Sequence, residues 1–176
     1  FFRDPKTEIH EIPRFLSEAK EHDPGSRCAG LQAFTSLNEK RPDIHLTPLP
    51  ALGSRYVAPN DWDLRTVRLQ SQATLDPEEL VQLCIENTFE PVVRIEHPGE
   101  ISWRGSIVDI FPDSEPHPIR IEFDDETLSS IRRFDLSSQT VLSREQQIEI
   151  LLARSVHPLE ESPGASLQEH LPSNTL

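Results

Sequence analysis

The stretch Pro118-Ile119-Arg120-Ile121-Glu122-Phe123 constrains the fold more than any other. Ile119, Ile121 and Phe123 alternate with Arg120 and Glu122, and a two-residue period sends apolar side chains to one face of a strand and charged ones to the other. Before it, Ile107-Val108-Asp109-Ile110-Phe111-Pro112 reads as an apolar strand, and Asp113-Ser114-Glu115-Pro116 has turn composition. After it, Leu128, Ser130 and Arg132 alternate with Ser129, Ile131 and Arg133 in a third strand. Residues 96–135 are expected to form a compact β-meander: a small antiparallel sheet with an arginine-bearing polar face.

The flanking chain supplies helices and further strands. Asp76-Pro77-Glu78-Glu79 is a helix start: the Asp76 carboxylate caps backbone N–H groups, Pro77 suits the first helical position, and two glutamates complement the dipole. Leu80, Leu83 and Cys84 follow on one face, so the helix is expected to run to about Asn87. Val67 and Leu69 mark a strand before it, and Val92 to Glu96 a strand after it. Further strands are read at 140–142 and 148–152. Nearer the start, Ile12, Phe15, Leu16 and Ala19 have helical spacing. Ser26 to Lys40 is a second helix, capped by Ser26 and carrying Leu31, Phe34 and Leu37 as an apolar stripe. Ile44, Leu46 and Leu49 suggest a short strand, 53–64 a loop anchored by Trp62, 155–166 a linker, and Leu167, His170 and Leu171 one more short helix.

Composition narrows the function. The 176 residues include 16 prolines and are 35% hydrophobic, so a small core with ordered appendages is expected rather than one fully packed globule. The net charge of -13 opposes DNA binding, which rests mainly on neutralising phosphates. Cys28 and Cys84 lack zinc spacing and fall among apolar neighbours, so both are expected to be free thiols. There is no signal peptide and no apolar run near the ~18 residues of a membrane span. The expectations are no membrane contact, a cytoplasmic location and a monomer. The chain opens on Phe, contains no Met and is expected to be an internal piece of a longer polypeptide.

The order R-G-x-I-x-D-I-F-P, P-I-R-I-E-F, S-I-R-R-F-D resembles the UvrA-binding module of bacterial nucleotide-excision repair, found in UvrB and in transcription-repair coupling factors. The run from Glu96 to Glu100, and Phe134-Asp135 followed by Ser138-Gln139 and Val141-Leu142, are closer to the coupling-factor version. The likeness is strong over 66–157, weaker over 26–65, and fades in the first 25 residues. It implies an α+β chain: residues 1–65 as the end of an α/β, nucleotide-fold-like domain lacking its first half, 66–154 as the antiparallel β-rich module with one packing helix, and 155–176 as a linker and the start of the next α/β segment. It also implies a parent protein that uses ATP and Mg bound elsewhere to displace stalled RNA polymerase on DNA, and that recruits UvrA. RNA polymerase and DNA would be contacted by other parts of the parent, and these residues would hold no cofactor.

No phosphate-cradling G-x-x-x-x-G-K-[ST] loop, nucleophile elbow or H-E-x-x-H helix occurs, so no catalytic or metal site is expected. Asp124, Asp125 and Glu126 read as a solvated hairpin tip. The binding reading rests on arginine, whose planar fork pairs carboxylates. By resemblance Arg104 and Arg120 contact UvrA, joined by Phe123 and the following position, Asp124. The bland alternative is a cross-strand salt bridge to Glu122 or Glu100. Two departures bear on binding. Ser106 replaces the second glycine of R-G-G and would be strained if that position has positive φ. Asp124 replaces a phenylalanine, and loss of a buried aromatic anchor costs on the order of 2–4 kcal/mol, or roughly 30- to 1000-fold in affinity. The competing readings are a degenerate structural or autoinhibitory module of the same parent, in which both arginines would be tied up in intramolecular salt bridges, the equivalent region of UvrB, and a fragment of a nucleotide-hydrolysing domain.

Overall fold

The computed structural model describes residues 8–12, 24–39, 43–153 and 164–171. The chain divides into two compact units, one made of 1–64 with 155–176, the other of 65–154. It is an α+β protein in which strands dominate the second unit.

In the first unit, strand β1 (Ile9–Glu11) runs parallel to β2 (Ile44–Leu46). Helix α1 (Pro24–Asn38) lies between them in sequence and buries Leu31, Phe34 and Leu37, the stripe read from spacing. It begins at Pro24 rather than Ser26, because proline is tolerated in a first turn whose N–H groups lack helical partners. Asp43 ties the three elements together. Its carboxylate accepts from the Ser36 hydroxyl at 2.6 Å, the Glu8 amide at 3.0 Å and His10 Nε2 at 3.3 Å. The Ser36 bond foremost, then the Glu8 amide, holds the Asp43 carboxyl below its ordinary range.

Residues 9–11 are strand, and the helix read from Ile12 to Ala19 lies beyond Ile12 outside the described residues. Two early expectations change here. The loop over 53–64 contains helix α2 (Pro59–Leu64), whose Trp62 is buried within 5.9 Å of the Phe34 ring. The linker over 155–166 lies mostly outside the described residues. Its end is not linker: Ala165 pairs with Tyr56 through two 2.8 Å backbone bonds, and a 3-10 turn follows at Leu167–His170.

In the second unit, β3 (Thr66–Gln70) pairs antiparallel with β10 (Gln147–Leu151). Helix α3 (Pro77–Glu86) begins as expected, the Asp76 side chain accepting from the Glu78 amide at 2.8 Å. A six-stranded sheet follows in chain order: β4 (Glu90–Pro91), β5 (Glu100–Arg104), β6 (Ile107–Phe111), β7 (Ile119–Asp124), β8 (Thr127–Phe134) and β9 (Val141–Glu145). All neighbours are antiparallel except β4 and β5. The strand read over Val92 to Glu96 is replaced by the two residues of β4. Beyond Val92 the Glu96 and His97 amides donate to the Glu100 carboxylate, which removes them from the ladder.

One face of the sheet is the core. Val108, Ile110, Ile119, Ile121, Phe123, Leu128 and Ile131 pack with Leu80 and Cys84 of α3 and Ile148 and Ile150 of β10. Burial of each large aliphatic contributes about 1.5–3 kcal/mol. Strict alternation in β8 would separate Leu128 from Ile131. A register shift resolves this: Glu122 faces Ser130 while Phe123 faces Leu128, so Ser129 is the extra residue and both apolar side chains reach the core. Burial pushes the Cys84 thiol up to about 12.

Candidate functional site

The opposite face of the sheet carries the charges. Directly opposed residues of neighbouring strands share a face, and one row reads Ser102, Asp109, Arg120, Arg132, Arg144 from β5 to β9. Asp109 is the organising group. It sits in an otherwise apolar strand, its side chain only 3% exposed, and a carboxylate there needs charged partners. Arg120 Nε and Nη2 both donate to it, at 2.7 and 2.8 Å, in the two-pronged geometry of an arginine fork. Arg104 Nη2 reaches the same carboxylate at 3.4 Å.

Arg120 is held from other directions as well. Its Nη2 donates to Gln139 Oε1 at 3.1 Å, and the guanidinium carbon lies 4.5 Å from the centroid of the Phe134 ring. Phe134 packs with Ile95 and Phe111 in a small apolar cluster on this face. The Asp109 hydrogen bonds, outweighing desolvation, raise the Arg120 pKa above its ordinary value.

The two arginines named from the sequence therefore meet at one carboxylate but differ in accessibility. The Arg104 side chain is 53% exposed and that of Arg120 is 20% exposed. Neither pairs with Glu122 or Glu100 as the bland alternative expected. Glu122 pairs with Arg132 and accepts the Ser130 hydroxyl, while Glu100 holds the turn before β5. Phe123 is buried in the core on the other face from Arg120, so its ring is not part of this surface. Asp124 is exposed at the end of β7, opposite Thr127 across the hairpin.

Ser106 is accommodated without strain. In the two-residue turn between β5 and β6 only Gly105 has positive φ, at 59°, while Ser106 does not. Positive φ at the first central position alone is the pattern of a type II′ hairpin, which asks for glycine only there. The expected conflict does not arise, because the second position needs no left-handed backbone.

Sequence reasoning missed Asp109, Gln139 and Phe134 as the framework of this face. The signal for Asp109 was an acidic residue flanked by Val108 and Ile110 in a strand otherwise apolar throughout. Elsewhere, Ser36, Asp43 and His10 come together in the first unit, but Ser36 donates to the carboxylate and not to the imidazole, so no nucleophile–base pair is assembled. A groove of about 240 Å³ between β3 and α3 is lined by Val67, Leu69, Leu75, Leu80 and Leu83. Among the described residues no group of three or more His, Cys, Asp or Glu could hold a metal ion. No helix there is long and apolar enough to cross a membrane.

A sheet that seals its core on one side and presents fixed arginines on the other has the layout of an interaction module. Residues 67–155, about half of the chain, match the UvrB interaction domain. The chain belongs to the UvrB interaction domain family. It is 28% identical over 145 residues to a transcription-repair-coupling factor of Bacillus subtilis, covering 82% of this chain and 12% of that protein. It is 27% identical over 141 residues to the transcription-repair-coupling factor of Staphylococcus aureus strain USA300, covering 80% of this chain and 12% of the relative. The chain thus spans about an eighth of the length of these relatives.

Proposed function

We propose that this chain is the protein-docking region of a transcription-repair coupling factor, that it recruits UvrA through the arginine face of its six-stranded sheet, and that it performs no catalysis itself. ATP hydrolysis, DNA translocation and contact with RNA polymerase would belong to other parts of the parent, as would ATP and Mg. The observation that carries the reading is the Arg104–Asp109–Arg120 arrangement. A buried carboxylate fixes Arg120 in place, and Arg104 stands beside it more than half exposed, with donors left for a partner. In this reading Arg104 makes the contact and Arg120 positions the face. Asp124, exposed at the rim, opposes an acidic partner.

The same arrangement favours a second reading. Arg120 is largely satisfied within the chain, as expected of a module that is structural or masks another surface of the parent. Calorimetric titration of the 176-residue chain into UvrA, with Arg104→Glu as control, separates the two. Recruitment predicts micromolar or tighter binding, weakened at least ~10-fold by a charge reversal worth about 1.4 kcal/mol or more. Absence of heat from a folded chain supports the structural reading. Arg120→Glu is a poor control, because it would set a second carboxylate against buried Asp109.

A further inference from the structure

Helix α3 packs on the core side of the sheet, away from the arginine row, and leaves a groove between itself and β3. Val67, Leu69, Leu75, Leu80 and Leu83 line a space of about 240 Å³. Leu83 is 37% exposed, although it lies one turn from buried Leu80. A cavity of about 150 Å³ admits benzene, so this one has room for an aromatic ring or a pair of aliphatic side chains. The rim carries one sign of charge. From Gln70 to Val93 the chain holds five carboxylates and no Lys, Arg or His. Arg68, the basic residue of the lining, donates to Glu149 at 2.8 Å. The hairpin between β7 and β8 adds Asp124, Asp125 and Glu126, all exposed. It is tied to the groove wall, the Leu75 amide donating to the Glu126 carbonyl at 2.7 Å and the Leu128 amide to the Ala73 carbonyl at 3.0 Å. Asp76, Glu78, Glu79, Asp124, Asp125 and Glu126 have no ion-pair partner among the described residues.

We propose that this groove docks a basic, apolar protein segment, one or two leucine- or phenylalanine-sized side chains flanked by Lys or Arg. Apolar surface rimmed by polar residues marks an interaction site, and anchors seated in pockets carry most of an interface's affinity. The acidic rim then selects the partner by charge, because complementary potentials steer encounter and reject partners of like sign. Nucleic acid and anionic membrane are disfavoured, since both would bring phosphates against carboxylates. A second copy is disfavoured by the net charge of -13 that it would share. The module thus has two docking surfaces of opposite charge on opposite sides of its sheet, and the groove is independent of what the arginine face binds.

The test uses the whole 176-residue chain and three 12-residue peptides. One carries two leucines flanked by lysines, the second has serines for the leucines, and the third has glutamates for the lysines. Leucine methyl resonances are followed by NMR. The expected result is that the Leu75, Leu80 and Leu83 methyls shift with the leucine–lysine peptide only, while the Arg104 and Arg120 Nε–Hε resonances stay in place. Glu79→Lys combined with Glu126→Lys, both at exposed positions, should weaken the peptide ~10-fold, and added salt should weaken it in the unsubstituted chain. Leu83→Ser should weaken it by a similar factor without altering the amide spectrum of the sheet. Equal response to the glutamate peptide, undiminished binding by the charge-reversed chain, or groove methyls that stay in place at millimolar peptide would overturn the proposal. So would concentration-dependent pairing of the chain that Leu83→Ser abolishes, which would make a second copy the occupant.

Discussion

Asp109 and Arg120 make a pair whose two ends are buried to different depths, and that difference predicts an ordering. Arg120→Met would leave the Asp109 carboxylate, 3% exposed, with only the 3.4 Å contact to Arg104. Breaking a buried pair so that one charge is orphaned costs about 3–5 kcal/mol, and the deeper partner is the one left behind, so ~3 kcal/mol or more is expected. Asp109→Asn removes the charge but keeps an acceptor, and Arg120, 20% exposed, retains Gln139 and the Phe134 ring. Discounted for that exposure, its cost should be about 2 kcal/mol. The double substitution leaves neither charge and should cost less than the sum, with a coupling of roughly 1–3 kcal/mol. Because the chain forms two units, a single melting curve would mix two transitions. Hydrogen exchange of the amides of Val108, Ile110, Ile119 and Ile121 reads the sheet directly. The reasoning is refuted if Asp109→Asn costs as much as Arg120→Met, or if the coupling falls below ~0.5 kcal/mol.

Three further outcomes are expected. Phe123→Ala should destabilise the sheet by about 3–5 kcal/mol in urea unfolding, whereas Asp124→Asn, at an exposed position, should change stability by less than ~0.5 kcal/mol. The Ser138 amide foremost, then the Ser137 and Ser138 hydroxyls, lower the Asp135 pKa to about 2. A depressed carboxyl contributes stability above its unfolded value of 3.8 and loses it as pH falls through the folded value, so an NMR titration should show Asp135 ionised until about pH 2, with Ser137→Ala/Ser138→Ala shifting it upward. Cys84, buried with its thiol pushed up to about 12, should react with a disulfide reagent only at the rate at which the second unit opens, whereas the half-buried Cys28 reacts first.

The sequence was most readable where a single period ran uninterrupted. Ile119, Ile121 and Phe123 face the core as alternation requires, and Asp76 caps α3 as its position before proline and two glutamates implied. Readability failed where the signal was shorter than the period. Helix α2 has six residues and one buried side chain, Trp62, so no stripe could appear. β1 pairs in parallel with a strand some 35 residues later, and three residues carry no trace of so distant a partner. The bulge at Ser129 breaks the two-residue rule at one point. The charge partners of Arg104 and Arg120 depended on register, which decided that Asp109, and not Glu122 or Glu100, lies opposite Arg120.

The pairing of β3 with β10 has a mechanical consequence. Thr66 lies opposite Leu151, and the Leu152 amide donates to the Arg65 carbonyl at 2.8 Å, so the second unit begins and ends on adjacent antiparallel strands. Tension applied to its two ends pulls the strands apart like a zipper, loading one hydrogen bond at a time instead of shearing the five-residue ladder at once. Force applied across the two ends of this unit would therefore open this seam first, and because Leu69, Ile148 and Ile150 belong to the core of the six-stranded sheet, its opening would uncover that core.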